Sequence, residues 1–146
     1  MDATNILLDG IKLSLRSAVI IETKEGGYIF EKENHTGIYY IVGGGIKINE
    51  SSYEAAKREV YEELGLNVEK IKLKAIVERI FSNNDNIQYH NIEFFYEYKL
   101  SEEITLDKGF YVLDMEMIKN ENIKPRIIYE IINSKQENLI HRIMYE

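Results

Sequence analysis

Between Gly44 and Leu66 the chain reads GGIKINESSYEAAKREVYEELGL, and this run constrains the fold more than any other segment. Ser51-Ser52-Tyr53-Glu54 has the S-x-x-E spacing of a capping box, in which side-chain oxygens satisfy the free N–H groups at a helix start. A helix is therefore predicted to begin just after Ser51. Ala55, Ala56, Lys57 and Arg58 propagate it, and Gly65 sits where a left-handed residue ends it. Tyr53, Ala56, Val60 and Leu64 share one side of that helix as an apolar stripe. Glu59, Glu62 and Glu63 stand at i, i+3 and i+4, so their carboxylates form a second stripe directly beside it. The acidic stripe thus runs along the rim of a packed face. Arg58 precedes Glu62 by one turn and is placed to hold that carboxylate.

Three carboxylates converging at a packed edge repel one another and need cations. Oxygen-only ligands suit hard divalent ions, and Mg²⁺ characteristically binds a few carboxylates together with substrate phosphates. Such ions bridge a pyrophosphate, neutralise charge in the transition state and activate water. A solvated acidic helix is the plainer reading of most Glu-rich stripes. What tells against it is the company of Gly44, Glu50 and Arg58 at fixed spacings. Upstream, Val42-Gly43-Gly44-Gly45 follows Tyr39-Tyr40-Ile41, which looks like a strand end. Glycines in such a loop let the backbone approach a ligand and turn carbonyls toward a metal. Without the helix that follows, a plain tight turn would be preferred.

Taken whole, the run is G-x5-E-x7-R-E-U-x-E-E-x-G-U, where U is bulky and aliphatic, with every defined position filled. It resembles the Nudix box, the signature of Nudix hydrolases, which cleave nucleoside diphosphates linked to a further group. The resemblance implies an α/β fold, an α/β/α sandwich around a mixed β-sheet, with the box helix and the preceding loop forming one wall of a cleft. It implies Mg²⁺, with Mn²⁺ as a substitute, held by Glu59, Glu62, Glu63 and the Gly43 carbonyl. In that scheme Glu62 serves as metal ligand or general base, Arg58 orients the carboxylates, and Glu50 supports the site through metal-bound water or the loop. Gly44, Gly45 and Tyr40 are the candidates for substrate contact. Two positions depart from the usual pattern: Val42 stands where relatives usually carry proline, and Lys47 where an acidic residue is common. Neither is a defined box position.

Members of the family also recruit an acidic residue from outside the box. Glu78 and Glu93 lie on strands that a turn at 82–86 would make neighbours, while Glu103 and Asp107 fall in a later loop. Most such carboxylates simply face water. Glu93 is the first choice, since it interrupts an aromatic-rich strand (Phe94, Phe95, Tyr96) beside His90. His90 itself reads as a partly buried polar residue. Eleven tyrosines and five phenylalanines offer rings for stacking, with Tyr39, Tyr40, Phe81 and Tyr89 as candidate cleft walls. The proline that relatives acting on ADP-ribose often carry shortly after the box is absent, and so is the longer tail motif of NADH-cleaving members.

The rest of the chain fits one domain over residues 1–146, long enough for a proper core. With no cysteine, disulfides, zinc-thiolate sites and a cysteine nucleophile are excluded. A net charge of −7 argues against extended nucleic acid as a partner, but not against a phosphate substrate met through metal ions. The N-terminal segment shows no leader pattern and no segment approaches a membrane span, so a cytoplasmic protein is expected. Ile11 to Thr23 reads as a strand entering the core, Lys24 to Gly27 as a turn, and Tyr28 to Phe30 as the returning strand of a hairpin. Ile38–Val42, Ile71–Glu78, Ile87–Leu100 and Phe110–Leu113 read as further strands, and the aromatic-rich ones would support a homodimer. Pro125 fits the first turn of a second helix through about Asn133, and Leu139 to Met144 fits strand or helix equally.

These readings converge on a Mg²⁺-dependent pyrophosphohydrolase acting on a small nucleotide: a nucleoside triphosphate, nucleotide-sugar, ADP-ribose or dinucleoside polyphosphate. The alternative is a non-catalytic nucleotide sensor that keeps the fold.

Overall fold

Alternation along two long strands builds the core in two layers. The computed structural model describes residues 6–83 and 85–146. Its elements in chain order are β1 (Ile6–Leu8), β2 (Ile11–Glu22), β3 (Tyr28–Lys32), β4 (Tyr39–Tyr40), β5 (Val42–Gly45), α1 (Ser52–Leu64) and β6 (Lys72–Ser82). They continue with β7 (Gln88–Lys99), β8 (Phe110–Leu113), α2 (Met115–Asn120), α3 (Ile127–Asn133) and β9 (Ile140–Tyr145). Val19 and Ile21 of β2 and Tyr96 of β7 pack under Ala56 and Val60 of α1. Ile20 and Phe95, pointing the other way, pack with Ala75 and Val77 of β6 against Ile118 of α2 and Ile127, Ile128 and Ile131 of α3. The result is the expected α/β/α sandwich around a mixed sheet.

The sheet order is β4-β3-β2-β7-β6-β9, with β1 and β5 also on β2 and β8 on β3. β2 runs parallel to β7 over twelve paired residues, and β6 runs antiparallel to β7. The other edge of β2 is shared: β1 covers Ile11–Leu13, β5 covers Arg16–Val19, and β3 meets only Glu22. The predicted hairpin therefore exists as a turn, with Gly26 at φ 100°, but it pairs only once. β3 leaves β2 to pair with β8 and β4 because β5 occupies the position beside β2.

Two further expectations are corrected and one open reading is decided. Gly43–Gly45 is strand, not loop, and a Cβ on Gly43 would press to 2.7 Å from the Ser17 carbonyl and the Ala18 side chain, so only glycine fits this pairing. Pro125, whose peptide bond is cis, stands two residues before α3, which begins at Ile127, rather than in its first turn. The undecided C-terminal segment is a strand, because β6 offers it a free parallel edge. The reading of the first five residues, and of the turn as far as it includes residue 84, falls outside the described residues. Neither β1 nor α2 was predicted. α2 is too short for a periodic signal, and two of its carbonyls (Ile118, Lys119) and that of its C-cap Glu121 accept from the Arg126 guanidinium, a cap supplied from beyond the helix.

Candidate active site

The box helix starts and stops where its capping residues predict. Ser51 is the N-cap, accepting from the Glu54 amide at 3.0 Å, and Gly65 closes the helix at φ 69° with its amide on the Tyr61 carbonyl. The N-terminus is fastened to the sheet by Ser17, which is fully buried and donates to the Ser52 carbonyl at 2.7 Å. Ser52 and Tyr96 share a second hydroxyl bond of 2.7 Å, and the Tyr53 and Tyr96 rings meet edge to face. These contacts hold the start of α1 against β2 and β7.

Arg58 is the hub of the rim. Its Nε and Nη2 take both oxygens of Glu50 at 2.8 and 2.9 Å, and Nη2 also donates to the Gly45 carbonyl at 3.0 Å. Nη1 reaches Glu59 at 2.8 Å and Glu62 at 3.3 Å. All five donors of the guanidinium are thereby used. The sequence pointed to Glu62 as the partner, yet Glu50 and Glu59 are held more closely. Glu50 also accepts from the Lys47 amide at 3.0 Å, so its part is to tie loop to helix. The Arg58 bonds, aided by the Lys47 amide, hold the Glu50 carboxyl down at about 2, and the same pairing drives Arg58 upward.

Glu59 lies over Gly44, where any Cβ would overlap its carboxylate. Glu63 accepts from the Gly43 amide at 3.0 Å. Its pKa is raised to about 7, first by burial, then by the nearby Glu31 and Glu59 charges and a hydrogen bond with Glu31; the Gly43 amide opposes the rise. Glu31, on β3, is thus a further carboxylate of this cluster that the sequence reading passed over. The only local signal was an acid ending the apolar Tyr28-Ile29-Phe30 run.

Glu63, Glu31 and Gly43 face a cavity of about 300 Å³ whose walls also include Arg16, Tyr40, Glu33, Glu93 and Lys124. Glu93 is 6 % exposed on its floor, with Arg79 Nη1 at 3.3 Å. Burial raises its pKa, while Arg79 and Arg16 pull it down. In the sheet register, Arg16 stands opposite Gly45 on one side and Glu93 on the other, which sets Glu93 two strand spacings, roughly 10 Å, from the glycine strand. Of the other acids considered, Glu78 points to the opposite face and pairs with His141 at 2.7 Å, and neither Glu103 nor Asp107 lines the cavity. His90 also lies on the face away from Glu93, paired in register with Ile80 and Leu13. Gly43 lines the cavity, whereas Gly44 and Gly45 underlie Glu59 and Arg58. Tyr40 is on the wall, and Tyr39 is in the core against Phe30.

The donor set fits a hard divalent cation. Carboxylates crowd the rim, and burial together with the Glu31 and Glu59 charges pushes Glu63 up toward neutral pH. Among the described residues, no three acidic or imidazole side chains converge closely enough to chelate an ion as they stand. The reason is visible in Arg58, which draws Glu59 and Glu62 to itself. No helix among the described residues is long and apolar enough to cross a membrane.

Comparison with known proteins accords with this geometry. Residues 15–133 match the NUDIX domain family. No curated protein sequence matches the chain. Among solved structures, a mutator MutT protein from Bacillus halodurans superposes with a TM-score of 0.72 at 18 % identity, covering 88 % of this chain and 89 % of that one. The Ap4A hydrolase of C. elegans gives 0.61 at 10 % identity, over 82 % and 93 %. A NUDIX-family hydrolase from Clostridium perfringens gives 0.57 at 21 % identity, over 81 % and 92 %. At such identities the likeness is one of fold. Nudix hydrolases generally use divalent metal ions. With the family match spanning most of its length, the chain belongs to the Nudix family and is a pyrophosphohydrolase.

Proposed function

We propose that this protein, as one domain over residues 1–146, is a Mg²⁺-dependent hydrolase of a nucleoside diphosphate linked to a further group, with Mn²⁺ able to substitute. The observation that carries the reading is the placing of Glu59 over Gly44 and of Glu63 on the Gly43 amide, with Glu63 lining a cavity that has the buried Glu93 on its floor. Glu59, Glu62 and Glu63, with the Gly43 carbonyl, would hold the metal, which supplies charge neutralisation of the pyrophosphate and a more acidic water. Arg58 orders the carboxylates, and Glu50 anchors Arg58 to the loop. Glu93, buried and raised, takes the proton of the attacking water, while Arg16 and Lys124 on the cavity wall face the phosphates. The products are a nucleotide and a phosphorylated second group, or pyrophosphate from a triphosphate. Free nucleotides as substrates accord with a cytoplasmic setting, and the aromatic-rich strands would support a homodimer.

The test is incubation with Mg²⁺ and a panel of nucleoside triphosphates, nucleotide-sugars, ADP-ribose and dinucleoside polyphosphates, with products separated by chromatography. Turnover of at least one class, lowered about 10²-fold or more in Glu62→Gln, is expected. Metal-dependent binding with no turnover of any member would instead make the protein a nucleotide sensor.

A further inference from the structure

Among the described residues, half of one sheet face carries no helix. α1 starts over Ser17 and lies across Val19, Ile21 and Tyr96, while α2 and α3 pack on the reverse face. Strand register lays out the remainder. One row crosses five strands as Ile6, Leu13, His90, Ile80 and Tyr145. The next row toward α1 crosses four as Leu15, Ile92, Glu78 and Ile143. On the other side, Leu8 and Ile11 pair at the corner.

A sheet with one face open to water normally alternates, apolar inward and polar outward. Here the outward side is apolar as well: Leu8 is 60 % exposed, Ile11 39 %, Ile143 54 % and Tyr145 78 %. At about 200 Å² for a large side chain, these four leave roughly 450 Å² of surface, as much as the largest patch on a typical monomer. With the half-buried members of both rows, the face approaches about 800 Å², one partner's share of a stable interface.

Charge points to the occupant. No lysine or arginine stands in these rows and the chain carries a net −7, so an anionic lipid surface gains nothing here. The one carboxylate of the rows, Glu78, is already paired with His141 at 2.7 Å. A partner therefore needs no complementary charge, only a flat apolar surface, and the chain's own face is one. Two copies meeting here oppose no unpaired charge.

We propose that this face is a dimer interface, on which a second copy of the chain packs sheet against sheet about a two-fold axis. The same patch serves both copies, with the sheets about 10 Å apart. Glu93 points to the reverse side, so both catalytic cavities stay open to solvent. The interface stands on packing alone and does not depend on the hydrolase reading.

Adjacent residues of β1 supply the test, because Leu7 (65 % exposed) points to the reverse face with Lys12, while Leu8 points to this one. Sedimentation velocity is run over roughly 1–100 µM for the wild type, Leu8→Asp, Ile143→Asp, Tyr145→Ser and Leu7→Asp. The wild type should sediment as a dimer at the upper end of that range. Leu8→Asp and Ile143→Asp should each raise the dissociation constant about tenfold or more. Tyr145→Ser removes area without adding charge and should raise it about threefold or more. Leu7→Asp should leave it within about twofold. A wild type that is monomeric at about 100 µM overturns the proposal, and flotation of that monomer with phosphatidylcholine vesicles would give the face to a membrane instead. So does a dimer that Ile143→Asp and Tyr145→Ser leave intact, or one that Leu7→Asp weakens as much as Leu8→Asp. Should an aspartate variant fail to fold, Tyr145→Ser against the wild type decides.

Discussion

Arg58 grips Glu50 with two parallel N–H groups, eight residues apart in sequence, and this pair carries the rim of the site. The bond lengths, 2.8 and 2.9 Å, are those of a charge-assisted fork. Because the other three donors go to Gly45, Glu59 and Glu62, the guanidinium fixes one loop carbonyl and two carboxylates at once. Lysine, a point charge on a flexible stem, cannot span these partners. Arg58→Lys should lower stability by roughly 2 kcal/mol and activity by about 10-fold or more. A double-mutant cycle with Glu50→Gln, followed by urea unfolding, should give a coupling of at least about 1 kcal/mol. Additive losses would show the two residues to be energetically independent.

Glu93 supplies a second prediction. Burial raises its pKa above the ordinary value of 4.5, so as a base it gains activity only as pH climbs past that raised value. The kcat profile should show an acid limb assignable to this group. Glu93→Gln should cut kcat about 10²-fold or more and remove that limb, with the fold intact by circular dichroism. A variant that keeps the wild-type limb would move the base elsewhere.

The Glu63 carboxyl bears on stability. Its folded pKa of about 7 lies above the unfolded value of 4.5, so the folded chain holds a proton that the unfolded chain releases. Its contribution to stability is whole below about pH 4.5 and is lost as pH rises through about 7. The metal-free protein should therefore lose Tm over that window by more than Glu63→Gln does. A divalent ion needs the deprotonated carboxylate, so the Tm gain from saturating Mg²⁺ should be larger at about pH 8 than at about pH 5.5. Equal gains at both would remove Glu63 from the metal set.

Two adjacent glycines should fail differently. A Cβ on Gly43 meets backbone of β2, so Gly43→Ala should destabilise the fold by about 1–3 kcal/mol. A Cβ on Gly44 meets only the Glu59 carboxylate, which can swing aside. Gly44→Ala should thus keep most of the stability but raise the Mg²⁺ concentration needed for half-maximal activity. Thermal melts and metal titrations of the two variants distinguish these outcomes.

What could be read in the chain itself was whatever is decided within one or two helical turns. The Ser51 cap, the Gly65 stop, the apolar stripe and the adjoining carboxylates are all set by residues within a few positions of one another, and the structure reproduces them. The strand alternation of β2, β6 and β7 was legible for the same reason. Glu31 beside Glu63, Arg126 capping α2 and the departure of β3 from β2 were not, because each depends on a partner distant in sequence.

The sequence by itself determined the acidic, capped helix, since helix geometry alone turns i, i+3 and i+4 into one edge, and through its resemblance to the Nudix box it pointed to the kind of bond attacked. Only tertiary structure decided what stands opposite that edge. The parallel register of β2 on β7 puts Arg16 beside Glu93, and Ser14 beside Asn91, so that the cavity beside the acidic rim continues into a second one. Register is a property of whole strands, set by which face of each is buried, and no local run of residues encodes it.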